Sequence, residues 1–205
     1  MRQLLLQLPV NDNHSAQAFV PTKGSAAAQE TLAGFAPTGE AHDGQTLLLL
    51  GPAASGKSHL LNIWQQTHAG NPLAIAVDDL QSLNAAAQEA LFHTFNHLKE
   101  QGGALLVAGC VPLAGMTLLP DLKSRLATAR QVDIAPPDDA ELQALVGKWA
   151  SDRQLHLPDA VVGYLLARAE RSPAALQGLV AALDTLSLEQ KRAVTVPLVK
   201  QILQG

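Results

Sequence analysis

The run Gly51-Pro52-Ala53-Ala54-Ser55-Gly56-Lys57-Ser58 has the residue types and spacing best suited to chemistry, and that chemistry is phosphate binding. Glycines let a loop turn so that successive backbone N–H groups point inward at phosphate oxygens. A helix starting at the end of the run presents its positive terminus to the same anion. Lys57 is placed to reach β- and γ-phosphates, and Ser58 to ligate Mg²⁺. His59 follows and is taken as part of the same nucleotide-binding run. The other reading is a structural glycine turn. Such a turn would rarely sit between a buried strand and a helix, which is the context expected here.

Asp78-Asp79 supplies the second half of a site, because it closes the apolar run 73–77. An acid at a strand end beside a phosphate loop can hold Mg²⁺ directly or through water, and Asp78 is assigned that role. Asp79 would polarise an attacking water as a general base. Taken alone, the two acids read equally well as solvated loop residues; the upstream loop favours the metal role. Other chemistry-bearing side chains are read as structural. His93 and His97 lie four apart on a helix but have no evident third ligand. Cys110 lies in no nucleophile motif and reads as a small core residue. Trp64 and Trp149 read as packing groups, and Asp138, Asp139 and Glu141 as acids complementing a helix N-terminus.

Positioning these groups requires strands that end on them. Residues 46–50 form a continuous apolar run stopped by glycine, as a fully buried parallel strand should. Strands are also expected at 73–77, 104–108 and 131–134. Helices are expected at 57–68 and at 85–100, where Leu91, Phe92, Phe95 and Leu98 recur at helical spacing. Residues 25–36 predict an earlier helix capped by Ser25. Beyond Asp138 the pattern changes to four helical stretches, about 138–151, 158–170, 173–186 and 195–204, with Pro158 and Pro173 near first-turn positions. The fold expected is α/β: a P-loop NTPase with a shortened parallel sheet flanked by helices, followed by a small all-α lid. Its expected divisions are a leader at 1–12, a nucleotide-binding domain at 13–136 and a lid at 137–205, with the border at Pro136-Pro137.

The composition agrees. Hydrophobic residues make up 47% and aromatics only 3% of 205 residues, so the core must be built from Leu, Ala and Val. That suits helices on a buried sheet better than a β-sandwich. A formal charge of −4 with no basic run argues against sequence-specific DNA binding by this chain itself. One cysteine excludes an internal disulfide and fits a reducing compartment. No apolar stretch is long enough to span a bilayer, and Pro9, Asn11, Asp12 and Asn13 interrupt the N-terminal leucines before they could act as a signal peptide. The expected location is the cytoplasm.

Three segments taken in order, G-P-A-A-S-G-K-S-H-L-L at 51–61, V-D-D-L-Q at 77–81 and L-F-H-T-F-N at 91–96, resemble the AAA+ module of the bacterial replication initiator DnaA. Pro120-Asp121-Leu122-Lys123-Ser124-Arg125-Leu126 is similar to the arginine-bearing box of that module. The likeness covers most of residues 19–204. DnaA continues into a helix-turn-helix DNA-binding domain, whereas this sequence ends at Gly205, where a lid would end. In that it resembles the Hda group of DnaA-related regulators. Gln3-Leu4-Leu5-Leu6-Gln7-Leu8 resembles the short peptide with which that group binds the DNA polymerase sliding clamp (its β subunit). Gln3 would make polar contacts while Leu4, Leu6 and Leu8 enter an apolar pocket and its rim.

The resemblance implies a negative regulator of chromosomal replication initiation, bound to ADP or ATP with Mg²⁺ and tethered to the clamp. It further implies that Arg125 acts as an arginine finger on the γ-phosphate of DnaA, stimulating hydrolysis there. The structural reading of Arg125 is a surface residue capping a helix. Two departures matter. Only residues 58–77 lie between Lys57 and Asp78, which leaves no room for the strand–helix unit the family places there. A four-stranded sheet with 73–77 as an exposed edge is therefore expected, and homo-oligomer pairing at that edge is one way to cover it. In addition, Ala174 stands where a lid arginine belongs, with Arg171 close by, and Gly109-Cys110-Val111 offers no polar sensor. Both losses point to weak or absent ATP turnover by this chain. The competing readings are an independent DnaA-like ATPase or helicase-loader relative, and a scaffold that binds no nucleotide.

Overall fold

The computed structural model describes residues 21–204. The leader 1–12 with Gln3, Leu4, Leu6 and Leu8 lies outside the described residues. Four strands form one parallel sheet: β1 (Gln45–Leu50), β2 (Ala74–Val77), β3 (Ala104–Gly109) and β4 (Arg130–Asp133). Their spatial order is β2-β3-β1-β4. Successive residues of a strand point to opposite faces, and that alternation sorts the core. Leu47 and Leu49 of β1, with Ala104, Leu106 and Ala108 of β3, pack against Leu60, Leu61 and Trp64 of α2 (Lys57–Thr67) and Ala28 and Leu32 of α1 (Lys23–Ala33). Leu48 and Leu50, with Leu105 and Val107, face Leu91, Phe95 and Leu98 of α3 (Ala85–Gln101) and Leu122 and Leu126 of α4 (Pro120–Leu126). A strand buried on both faces must be apolar at every position, which is why Leu47 to Leu50 do not alternate with polar residues.

Trp64 and Trp149 are packing groups. Trp64 is buried against Phe35 and donates its indole N–H to the Phe35 carbonyl at 2.6 Å. Trp149 belongs to a separate cluster with Leu142, Val146, Leu165, Leu176, Val180 and Leu183. That cluster is built by α5 (Asp139–Asp152), α6 (Asp159–Arg168), α7 (Pro173–Gln190) and α8 (Val196–Gln204). Helix α7 runs four residues past the predicted end and closes at Lys191, whose backbone is left-handed at φ +51°.

One reading of the first helix is corrected, and two details are added. The first helix is capped by Thr22, not Ser25. The Thr22 side chain accepts from the Ser25 amide, and the Ser25 side chain returns to the Thr22 amide, so Ser25 is the third helical residue of a reciprocal box. The segment 120–126 is a helix of its own, started by Pro120 at its first turn. β2 lies at the sheet edge, as the short spacing implies, and its side chains are buried to half-buried between the two helix layers. Ala76 packs on the α2 side, and Ile75 and Val77 pack on the α3 side.

The chain passes from sheet to helical cluster through Ala135, Pro136 and Pro137, and α1 holds that passage. A Cβ on Gly24 would lie 2.3 Å from the Ala135 carbonyl oxygen, so only glycine permits the approach. Lys23 Nζ lies 2.6 Å from Asp138 Oδ2, and the Lys23 amide donates to Glu141. Asp138 in turn caps α5, accepting from the Glu141 amide. The hydrogen bond from Lys23, helped by the Glu141 amide, holds the Asp138 carboxyl below the usual range; the same hydrogen bond and charge raise Lys23. Among the described residues, no helix is long and apolar enough to cross a membrane.

Candidate nucleotide site

The loop 51–58 leaves the C-terminal end of β1, and Asp78 leaves the C-terminal end of β2. In the ladder, Leu50 pairs with Gly109 and Val77 with Val107 of the intervening β3. Both segments therefore emerge at one end of the sheet, their strands two spacings, roughly 10 Å, apart. Ligands of open parallel sheets sit at that carboxyl end. The loop base is tied down on both sides: the Gly51 amide donates to Gly109 at 3.2 Å, and the Ile134 amide donates to Leu50 at 2.6 Å. A Cβ on Gly51 would lie 2.9 Å from Ile134 Cβ and 3.0 Å from its carbonyl oxygen.

Two residues turn the loop. Gly56 has φ +92° and Ala54 has φ +57°. The left-handed region is free for glycine and costs an alanine roughly 1 kcal/mol. Gly56 is the N-cap of α2 and supplies no side-chain cap, whereas α1, α3, α5 and α7 are capped by Thr22, Asn84, Asp138 and Ser172. The first-turn amides of Lys57 and Ser58 consequently lack both an intrahelical partner and a side-chain cap. Ser58 is exposed on that turn, and His59 beside it is half-buried. Lys57 is only 5% exposed, and its ammonium is engaged within the loop. It donates to the carbonyls of Gly51 at 2.9 Å and Pro52 at 2.7 Å, and to Ser55 Oγ at 3.4 Å. Lysine is thus both the strut of the loop and its cation.

The acidic pair is built differently from its simple sequence reading. Asp78 is half-buried and accepts the Asp79 amide at 2.8 Å. Asp79 is exposed, left-handed at φ +51°, and accepts from Gln81 Nε2 at 2.9 Å. Gln81 Oε1 then accepts the Cys110 amide at 3.0 Å. Gln81 therefore joins the acids to the end of β3, a link that no motif announces. Cys110 itself is half-exposed at that strand end rather than a core residue.

Arg125 is not brought to this loop. It lies exposed near the end of α4, and no hydrogen bond or ion pair holds its side chain among the described residues. Arg171 pairs with Asp139 at 3.3 Å, both side chains well exposed, while Ala174 stands exposed on the first turn of α7.

Sheet order, loop and acid pair together define a P-loop protein of the AAA+ class. The family model described as "Hda, lid domain" matches residues 138–203. An uncharacterised protein of Haemophilus influenzae is 30% identical over 182 residues, covering 75% of this chain and 79% of that one. The chromosomal replication initiator protein DnaA of Clavibacter sepedonicus is 25% identical over 146 residues, which are 70% of this chain and 30% of that protein. Among solved structures, domain III of Thermotoga maritima DnaA superposes with a TM-score of 0.75 at 18% identity, covering 96% of this chain and 98% of that one. A replication initiator DnaA bound to AMPPCP and single-stranded DNA gives a TM-score of 0.63 at 18% identity, over 90% of this chain and 69% of that one. This chain belongs to the Hda/DnaA-related AAA+ family.

Proposed function

We propose that this protein is a nucleotide-bound negative regulator of replication initiation that supplies Arg125 to ATP held by DnaA. The observation that carries the reading is the pairing of a complete phosphate loop with an arginine that stays outside it. Lys57 sits at the centre of the loop, and Arg125 stands exposed on α4 with no partner of its own among the described residues. A guanidinium so presented can act on a neighbouring molecule's γ-phosphate.

The residues fit an adenine nucleotide diphosphate or triphosphate. The amides of loop 51–58 and of the first turn of α2 would hold its phosphates, with Lys57 beside them. Ser58 and Asp78 would hold Mg²⁺, which neutralises phosphate charge when bound. Asp79 is the residue available to orient a water, but its carboxylate is engaged by Gln81. With Ala174 at the lid position and Arg171 paired to Asp139, turnover by this chain is weak or absent. Its bound nucleotide acts as a clamp between the sheet and the helical cluster. Gln3, Leu4, Leu6 and Leu8 are assigned to the sliding clamp, and the cytoplasm is the setting.

Reconstitution of clamp, DnaA and this protein, scored by loss of DnaA-bound ATP, tests the reading. Loss that depends on both clamp and protein is expected, and a Gln3→Ala/Leu6→Ala variant should bind the clamp more weakly than wild type. Sustained turnover by the purified protein alone, abolished by Lys57→Ala, would instead make it an independent ATPase or helicase-loader relative.

A further inference from the structure

Gln88 is one of few buried polar side chains, 8% exposed on α3, and every hydrogen bond it makes goes to the backbone of a loop. Its Nε2 donates to the Leu83 carbonyl at 2.8 Å and to the Thr117 carbonyl at 3.3 Å. Its Oε1 accepts the Leu119 amide at 2.8 Å. Leu83 ends the short 3-10 turn Leu80–Ser82 that follows Asp78-Asp79, and Leu119 is the N-cap of α4. One side chain thus fastens the segment behind the acid pair to the entrance of the helix that carries Arg125. Two neighbours extend the link. Gln81 joins Asp79 to the Cys110 amide, at the start of the segment 110–119. Lys123, two residues before Arg125, donates to the carbonyls of Ala114 at 3.0 Å and Met116 at 3.2 Å in the same segment. Leu122 and Leu126 are buried beneath, so α4 cannot roll without losing core contact.

We propose that Gln88, with Gln81 and Lys123, is a positioning residue: it fixes the presentation of Arg125 relative to the Asp78–Asp79 segment of the same chain. The glutamine amide suits the task because it both donates and accepts, and the two loops offer two carbonyls and one amide. α4 has seven residues and no side-chain cap, too short to hold its own orientation. The Gln88 bonds to the Leu119 amide and the Thr117 carbonyl are what fix its N-cap and the approach to it. The proposal rests on the assignment of Arg125 as the group acting on the partner.

The test uses the full chain with Gln88→Glu, Gln88→Leu and Lys123→Met. Glutamate keeps the acceptor for Leu119 and loses both donations, whereas leucine loses all three. Hydrogen exchange of residues 117–126 should accelerate at least about tenfold for Gln88→Leu, since three hydrogen bonds are lost, and less for Gln88→Glu. In the reconstituted reaction, the maximal stimulated rate should fall about tenfold while the concentration giving half-maximal stimulation stays within twofold. The Gln88 effect should vanish in an Arg125→Ala background. Unchanged exchange at 117–126 in a folded variant overturns the link itself, whether or not the protein stimulates DnaA. Accelerated exchange with full additivity against Arg125→Ala overturns the positioning role. Should Gln88→Leu not fold, Lys123→Met carries the same two readouts. No stimulation by wild type defeats the assignment of Arg125, and the exchange arm then decides the link alone.

Discussion

Lys57→Met isolates the structural half of the phosphate-loop lysine. Methionine keeps an unbranched stem and deletes the ammonium that bonds the carbonyls of Gly51 and Pro52. A hydrogen bond from a charged donor contributes about 1.5–3 kcal/mol net. The loop is half-exposed, so water can take over the freed carbonyls, and removing a 5% exposed cation relieves some desolvation. The net loss should be about 1–2 kcal/mol in nucleotide-free protein. At about 2–4 °C per kcal/mol for a chain of this size, Tm should drop by about 2–8 °C. Thermal unfolding without nucleotide measures it directly. Adding ADP at about 100 times its Kd should stabilise wild type by about 2.7 kcal/mol and the variant hardly at all. A variant that melts at or above wild type without nucleotide would refute the strut, leaving lysine as a phosphate ligand only.

Other perturbations follow from the same geometry. Ala54→Gly should remain within about 1 kcal/mol of wild type, because relief at φ +57° is offset by the entropy of the unfolded chain. Ala54→Val should lose about 2 kcal/mol by denaturant unfolding, since a β-branched residue resists that backbone. Gly24→Ala forces a Cβ against the Ala135 carbonyl and should open the 134–138 passage to limited proteolysis with little change in the buried sheet. The Lys23–Asp138 pair should give a flat contribution between about pH 5 and 9. Below it, the contribution fades as Asp138 protonates through its lowered pKa. Above it, it fades as Lys23 deprotonates through its raised pKa. Comparing wild type with Lys23→Gln across pH, and again in high salt where the difference should shrink, checks the sign.

Much of the site was legible because its parts are contiguous. Residues 51–58 carry their own spacing, and the apolar runs before them and before Asp78 can only be buried strands. The shortened sheet followed from the brief interval between Lys57 and Asp78, and β2 is indeed an edge strand. Which elements cover its two faces was not legible, since the placement of α2 and α3 depends on tertiary packing. Thr22 and Ser25 both suit a cap, and only the reciprocal hydrogen bonds reveal which residue occupies it. α4 is seven residues long, too short for a periodic signal, so Arg125 was recognised by likeness before its helix was. The links made by Gln81 and Gln88 were not legible, because each reaches a backbone amide about thirty residues distant, Cys110 and Leu119, and a backbone group leaves no mark on residue type.

The sharpest measurement is the rate at which DnaA-bound ATP is lost in the clamp-loaded reaction with wild type and with Arg125→Ala. Arginine fingers contribute at least about a thousandfold to such hydrolysis, so the variant should reduce stimulation to background while keeping its own nucleotide and its clamp binding. Equal stimulation by Arg125→Ala and wild type would contradict the claim that this exposed arginine, held outside its own phosphate loop, acts on the ATP of its partner.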